Sequence, residues 1–303
     1  MKTRSVFESV ARRRFLRGFM DKKKLYKILQ FNKSHNKEIS TAKNIFYDCI
    51  GRQNPTVISD MQTLAQLIFD NRGYKFMRIP MKSKEIGAFQ LRFNNSNYLV
   101  LNTSKSLANN NFAIAHELYH VLIQNNSTGN AGELYLNNYD EIEDEQMANA
   151  FAGAVIMPIE DVKFLVGLLE KKRVPKELKQ EYPYIHELLI VFALMSYYQT
   201  TYMSVVIRCY ELNIFDTSDS SLMDVLLQNN SEEKQKKLFR NLPMRKGDVS
   251  IMEPTREDDF EKIYDEAKKL GEKNVARGII TEDDLEYRLE GLKNAYLYVR
   301  EEA

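Results

Sequence analysis

Two imidazoles four positions apart, with a carboxylate next to the first, are the residues here best suited to chemistry: His116-Glu117-Leu118-Tyr119-His120. On a helix, positions i and i+4 share a face, one turn apart. His116 and His120 then aim two ring nitrogens at a common point, within the ~2 Å reach that zinc requires. Glu117 projects beside them, placed to take a proton from water and return it to a leaving amine. Leu118, Val121 and Leu122 are expected to hold the other face in a core. The chain has only 4 histidines, so the pairing has a low chance rate. A near copy at His186-Glu187-Leu188-Leu189 is followed by Ile190, where the second imidazole would stand. His186 is therefore expected to be a packed or capping histidine.

A catalytic zinc site needs a third protein ligand and an open fourth position. The acidic run Glu141, Glu143, Asp144 and Glu145 offers one, and Glu145 is favoured. Asn149 lies one turn beyond it on the same face and is suited to orienting a ligand. Asp144 and Glu141 are the alternatives. Met147, Ala150, Phe151 and Ala154 form an apolar stripe that would pack this second helix on the first. The separation between His120 and Glu145 suits two helices joined by a loop. In that loop, Tyr135 and Tyr139 are candidate oxyanion donors. A strand around Phe89 and Leu91 is a candidate edge for pairing with an extended substrate backbone.

Taken together, FAIAHELYHVL, EQMANAFA and VIMP resemble the ImmA/IrrE family of zinc metallopeptidases, over roughly residues 60–160. The resemblance implies a thermolysin-like zincin domain. His116, His120 and Glu145 would be ligands to Zn2+, and Glu117 the base. It also implies a protein substrate, a helix-turn-helix transcriptional repressor whose loss relieves repression. Two features depart from the pattern. Tyr119 stands where many members carry Gly, and residues 1–50 show no clear DNA-binding module. The alternative is a noncatalytic regulator that keeps the zincin fold and binds a repressor or DNA. An intact Glu117 favours the enzyme, because a binding module has no need of it.

These residues must be positioned by a mixed set of elements. The fold class is α+β: a mainly helical zincin-like fold, with a small antiparallel-containing sheet before the motif helix and helical segments after it. Ser40-Thr41 is expected to cap a helix that runs to Ile50, and Ser59-Asp60 a second one stopped by Gly73. Residues 74–79 read as a strand, Phe89, Leu91 and Phe93 alternate with Gln90 and Arg92 across 87–93, and 98–102 reads as the partner strand after the turn Asn94-Asn95-Ser96-Asn97. The motif helix is expected to run unbroken through Gln124. By segment, 1–37 reads as a basic amphipathic helical stretch and 38–172 as the metallopeptidase domain. Residues 173–215 read as a helix-turn-helix-like pair, 216–256 as a linker, and 257–303 as a charged helical tail. In the pair, the second helix is dominated by Tyr202, Val205, Val206 and Ile207, which favours a buried hairpin over a groove-reading helix. In the tail, Thr281 and Asp284 have the spacing of a capping box.

Composition excludes several classes. The 303 residues are 44% hydrophobic, enough for a substantial core. Lys+Arg and Asp+Glu number 43 and 42, so overall charge carries no nucleic-acid footprint. Direct nucleic-acid contact would rest on the basic N-terminal stretch alone. Cys49 and Cys209 are far apart in apolar contexts, which argues against a disulfide framework or a Cys-based zinc site. The longest strongly apolar run, Leu188 to Met195, falls short of the roughly 18 residues a membrane span needs. With no secretory leader in view, the expected location is cytoplasmic.

Overall fold

A computed structural model describes residues 20–83, 86–93, 96–124, 142–171, 179–180, 182–241 and 248–300. The chain enters through α1 (Lys22–Ser34) and α2 (Asn36–Cys49), then α3 (Met61–Asn71). Asp21 caps α1 by accepting from the Lys24 amide, and Asp60 caps α3 by accepting from Thr63, as expected for that site. Helix α2 begins a turn earlier than the Ser40-Thr41 cap predicts. Thr41 bonds back to the Lys37 carbonyl instead, so its hydroxyl is served within the helix. Gly51 and Gly73 follow α2 and α3 with φ of 68° and 76°, a region that favours glycine at a helix exit.

Three strands follow: β1 (Tyr74–Ile79), β2 (Ala88–Phe93) and β3 (Ser96–Asn102). Their order is β1-β3-β2; β2 pairs antiparallel with β3, and β1 parallel. Strand β2 is thus an edge strand. One face of the sheet lies on α3, where Phe69 meets Tyr74 and Phe76 with ring centroids 5.5 and 6.3 Å apart.

The remainder is helical: α4 (Leu107–Tyr119), α5 (Ile142–Ile156), α6 (Ile159–Leu169), α7 (Ile185–Tyr198) and α8 (Tyr202–Glu211). Beyond them come α9 (Ser220–Gln228), α10 (Glu232–Asn241), α11 (Phe260–Ala276) and α12 (Glu282–Val299). Helices α4 and α5 pack together over a core with α2. Phe151 of α5 is fully buried there, edge-on to Phe46 and tilted against Tyr119. Arg208 of α8 ties this core to the N-terminal helix. Its Nε donates to the Met157 carbonyl, its guanidinium pairs with Glu211, and Glu211 accepts from Asn32 of α1.

Helices α7 and α8 meet at 113° across Gln199–Thr201, an angle within the helix-turn-helix range. Gln199 takes the left-handed conformation (φ 48°) that makes the bend. Yet Tyr202, Val205, Val206, Cys209 and Tyr210 are all buried. The second helix is core, with no free face to enter a groove. Among the described residues, no single helix is long and apolar enough to cross a membrane.

The stretch 216–256, expected as a linker, carries α9 and α10. Leu222, Met223, Leu226 and Leu227 are buried in the main core. Its polar run is cap chemistry: Asp216 accepts from the Ser218 amide, and Asp219 from the Ser221 and Leu222 amides. The tail forms an α11–α12 hairpin. Thr281 and Asp284 make the reciprocal capping box. At the turn end the helices approach closely, since a Cβ on Gly271 would lie 2.1 Å from Leu285. At its base, Phe260 stacks on Tyr296 at 3.8 Å, and Asp259 accepts from the Arg78 amide of β1.

Truncating Phe151 to Ala should cost about 3–5 kcal/mol, as for other buried aromatic side chains. Urea unfolding checks this. A loss under about 1 kcal/mol would mean that the α2–α4–α5 core is not packed as described.

Candidate metal centre

Ser106 caps α4 and sets its start. Three turns on, the helix buries nearly everything it presents: His116, Glu117 and His120 are 9%, 6% and 4% exposed. Polar groups this deep must be paired or hold an ion. The α-helix stops at Tyr119, and His120–Gln124 form a π turn rather than a continuation. The His120 amide bonds to the Glu117 carbonyl, three residues back. Apolar spacing over a single turn does not separate i+4 from i+5 winding, so the sequence pattern predicts an unbroken helix where the structure has a π turn. Such turns recur at functional sites.

The two imidazole Nε2 atoms face each other at 3.1 Å. Glu145 reaches them from α5: Oε2 lies 3.2 Å from His116 Nε2, and Oε1 3.6 Å from His120 Nε2. Donor atoms around a tetrahedral zinc with bonds of about 2.0–2.1 Å stand about 3.3–3.4 Å apart. The observed separations are of that size. All three donors lie within 4.8 Å of one another, the only such group found among the described residues. Two imidazoles and a carboxylate are also the right donor chemistry for zinc.

The neighbours agree with a cation here. Asn149 Oδ1 lies 3.1 Å from His116 Nδ1. An oxygen accepts, so Nδ1 carries the proton and the Nε2 lone pair points toward Glu145 and His120. Burial disfavours a charged His116. The hydrogen bond to Glu145 and the charges of Glu117 and Glu145 outweigh it, and the net effect raises the pKa. The same negative field favours a divalent ion.

Glu117 does not join the three donors. Its Oε2 accepts from Gln90 Nε2 at 2.9 Å, and the same nitrogen donates to the Glu117 carbonyl at 3.2 Å. Gln90 was not among the residues singled out from sequence. Strand alternation contained the signal, because it sets Gln90 on the opposite face from Phe89 and Leu91. Those two are half-buried on edge strand β2, and neither side chain shares the Gln90 face. Tyr135, Tyr139 and Glu141 lie outside the described residues. Glu143 pairs with His35 at 3.2 Å, and His186 sits half-buried on the first turn of α7, outside the donor group. Tyr119, the departure from the family pattern, fills the α4–α5 interface. Burial, reinforced by Asp144 and Glu143, pushes its hydroxyl pKa up to about 12.

Two cavities of 420 and 640 Å³ flank the N-terminal half of α4 and share Phe112, Thr201 and Met203 as walls. The smaller is also lined by Asn149, the residue that holds His116.

Residues 69–210 match the family model for the IrrE N-terminal-like domain, a peptidase family. Comparison with curated proteins and with solved structures gave no match. The matched span contains the motif helix, the Glu145 helix and the edge strand that touches Glu117, and residues 69–210 of this chain are similar to the IrrE N-terminal-like domain, which supports the resemblance to the ImmA/IrrE family.

Proposed function

We propose that the chain is a cytoplasmic zinc-dependent endopeptidase that cleaves a regulatory protein, a helix-turn-helix transcriptional repressor, and so relieves repression. The observation that carries the peptidase reading is the convergence of the buried His116 and His120 with the half-buried Glu145, with Glu117 adjacent. The repressor as substrate rests on the family resemblance. His116, His120 and Glu145 would hold the zinc. When bound, zinc supplies a Lewis acid that polarises a scissile carbonyl and lowers the pKa of water to about 7.

The chain's own groups do the rest. Asn149 fixes the His116 tautomer. Glu117 takes the proton of the attacking water on its carboxylate and returns it to the leaving amine. Its burial keeps bulk water from competing for that proton. Edge strand β2 offers its outer backbone to an extended substrate, and the cavity walled by Phe112 and Met203 takes an apolar side chain beside Asn149. The noncatalytic reading gains nothing from the α7–α8 pair, whose second helix is buried.

The purified protein should carry one zinc per chain by elemental analysis. Glu117→Gln should keep that metal and lose about 10²–10⁴-fold in cleavage. Glu145→Gln should lose the metal itself. Full cleavage by Glu117→Gln would end the hydrolytic reading. Incubation with the repressor encoded nearest to its gene tests the substrate: a discrete cut is expected, and an intact repressor beside active enzyme would remove that assignment.

Zinc must displace the proton that the raised His116 pKa retains. Zinc affinity should therefore weaken as pH falls, starting above the usual histidine range. A competition titration between pH 8 and about 5.5 reads it; affinity flat across that window would contradict the assignment.

A further inference from the structure

Gln90 occupies a place that no expectation gave it. Its side-chain amide has two N–H protons and one acceptor oxygen. The nitrogen donates to Glu117 Oε2 at 2.9 Å and to the Glu117 carbonyl at 3.2 Å. The oxygen accepts from the Tyr74 hydroxyl at 3.0 Å. Each contact constrains the others. With the Tyr74 hydroxyl on the oxygen, the amide presents its nitrogen to Glu117. With that nitrogen shared between carboxylate and carbonyl, the Glu117 side chain and its backbone are tied to one donor. One carboxylate oxygen is then committed to Gln90, which leaves Oε1 for other work.

The backbone at this point is irregular as well. The Glu117 carbonyl also accepts the His120 amide, at the junction where α4 gives way to the π turn. Gln90 thus braces the segment between the two histidines from the neighbouring strand. Glu117 is 6% exposed, so water does not offer an easy replacement for this donor. A hydrogen bond to a charged carboxylate is also among the stronger kinds.

We infer that Gln90 is a positioning residue for the reaction, holding Glu117 in its working rotamer, with Tyr74 setting the direction of the Gln90 amide. This rests on Glu117 being the base, as proposed above. Gln90 itself touches neither a metal donor nor the reacting atoms. Its contribution passes through the carboxylate it holds.

The test uses the full-length chain with two readouts. On the zinc protein with fluorescein-labelled casein, Gln90→Ala should lower kcat about 10–100-fold, with KM and zinc content near wild type. Tyr74→Phe should lower kcat about fivefold. On the cobalt(II)-substituted protein, Gln90→Ala should shift the visible bands, and the same change made in a Glu117→Ala background should shift nothing further. A merely structural Gln90 would shift the spectrum equally in both backgrounds, which overturns the inference. A Gln90→Ala protein with wild-type kcat and spectrum overturns it too. If wild type leaves casein intact, the peptidase reading loses that support, and the cobalt cycle still decides whether Gln90 acts through Glu117.

Discussion

The packing of α4 against α5 is the constraint on which the rest depends. It brings one imidazole from the last turn of α4 and one from the π turn that follows it within 3.2 and 3.6 Å of a carboxylate on α5. Helices give rigid spacing, so the donors need little reorganisation to meet a cation. Buried imidazoles beside a carboxylate also suit a cation, because polar groups this deep must be paired or hold an ion. Phe151 and Tyr119 press the two helices together just beside the site, and Phe46 of α2 backs them. The candidate metal centre and the main core are therefore one packing problem, and a loosened core would misplace the three side chains.

Elements outside the matched span also bear on the site. Helix α1 is joined to α8 through Asn32, Glu211 and Arg208, and Lys24, Lys27 and Ile28 line the cavity behind Asn149. The α11–α12 hairpin grips the far end through Asp259 and the Arg78 amide of β1. Strand β1 in turn carries Tyr74, which holds Gln90. The sheet acts as the bracket between the tail and the residue beside the two histidines.

Much of this was legible in the residues. A turn-spaced histidine pair in a chain with 4 histidines is a local pattern, and Glu145 with Asn149 repeats the same spacing on the next helix. Alternation marked the strands, and Ile190 removed His186 from contention. Other features are tertiary, and pattern does not report them. The Gln90–Glu117 bond joins a strand to a helix, and spacing along the chain does not reveal it. The π turn looks like ordinary helix because its apolar residues suit either winding. The run Asp216 to Ser221 has linker composition, yet it caps α9 and sends Leu222 and Met223 into the core. The α7–α8 pair has helix-turn-helix angles, and only burial shows that its second helix is not a reader.

X-ray absorption at the zinc edge of the purified protein tests the central claim most directly. Two imidazoles and oxygen donors should appear, with bonds of about 2.0–2.1 Å and the outer-shell scattering of histidine rings. A site dominated by sulfur at about 2.3 Å, or one without ring scattering, would contradict His116, His120 and Glu145 as its ligands.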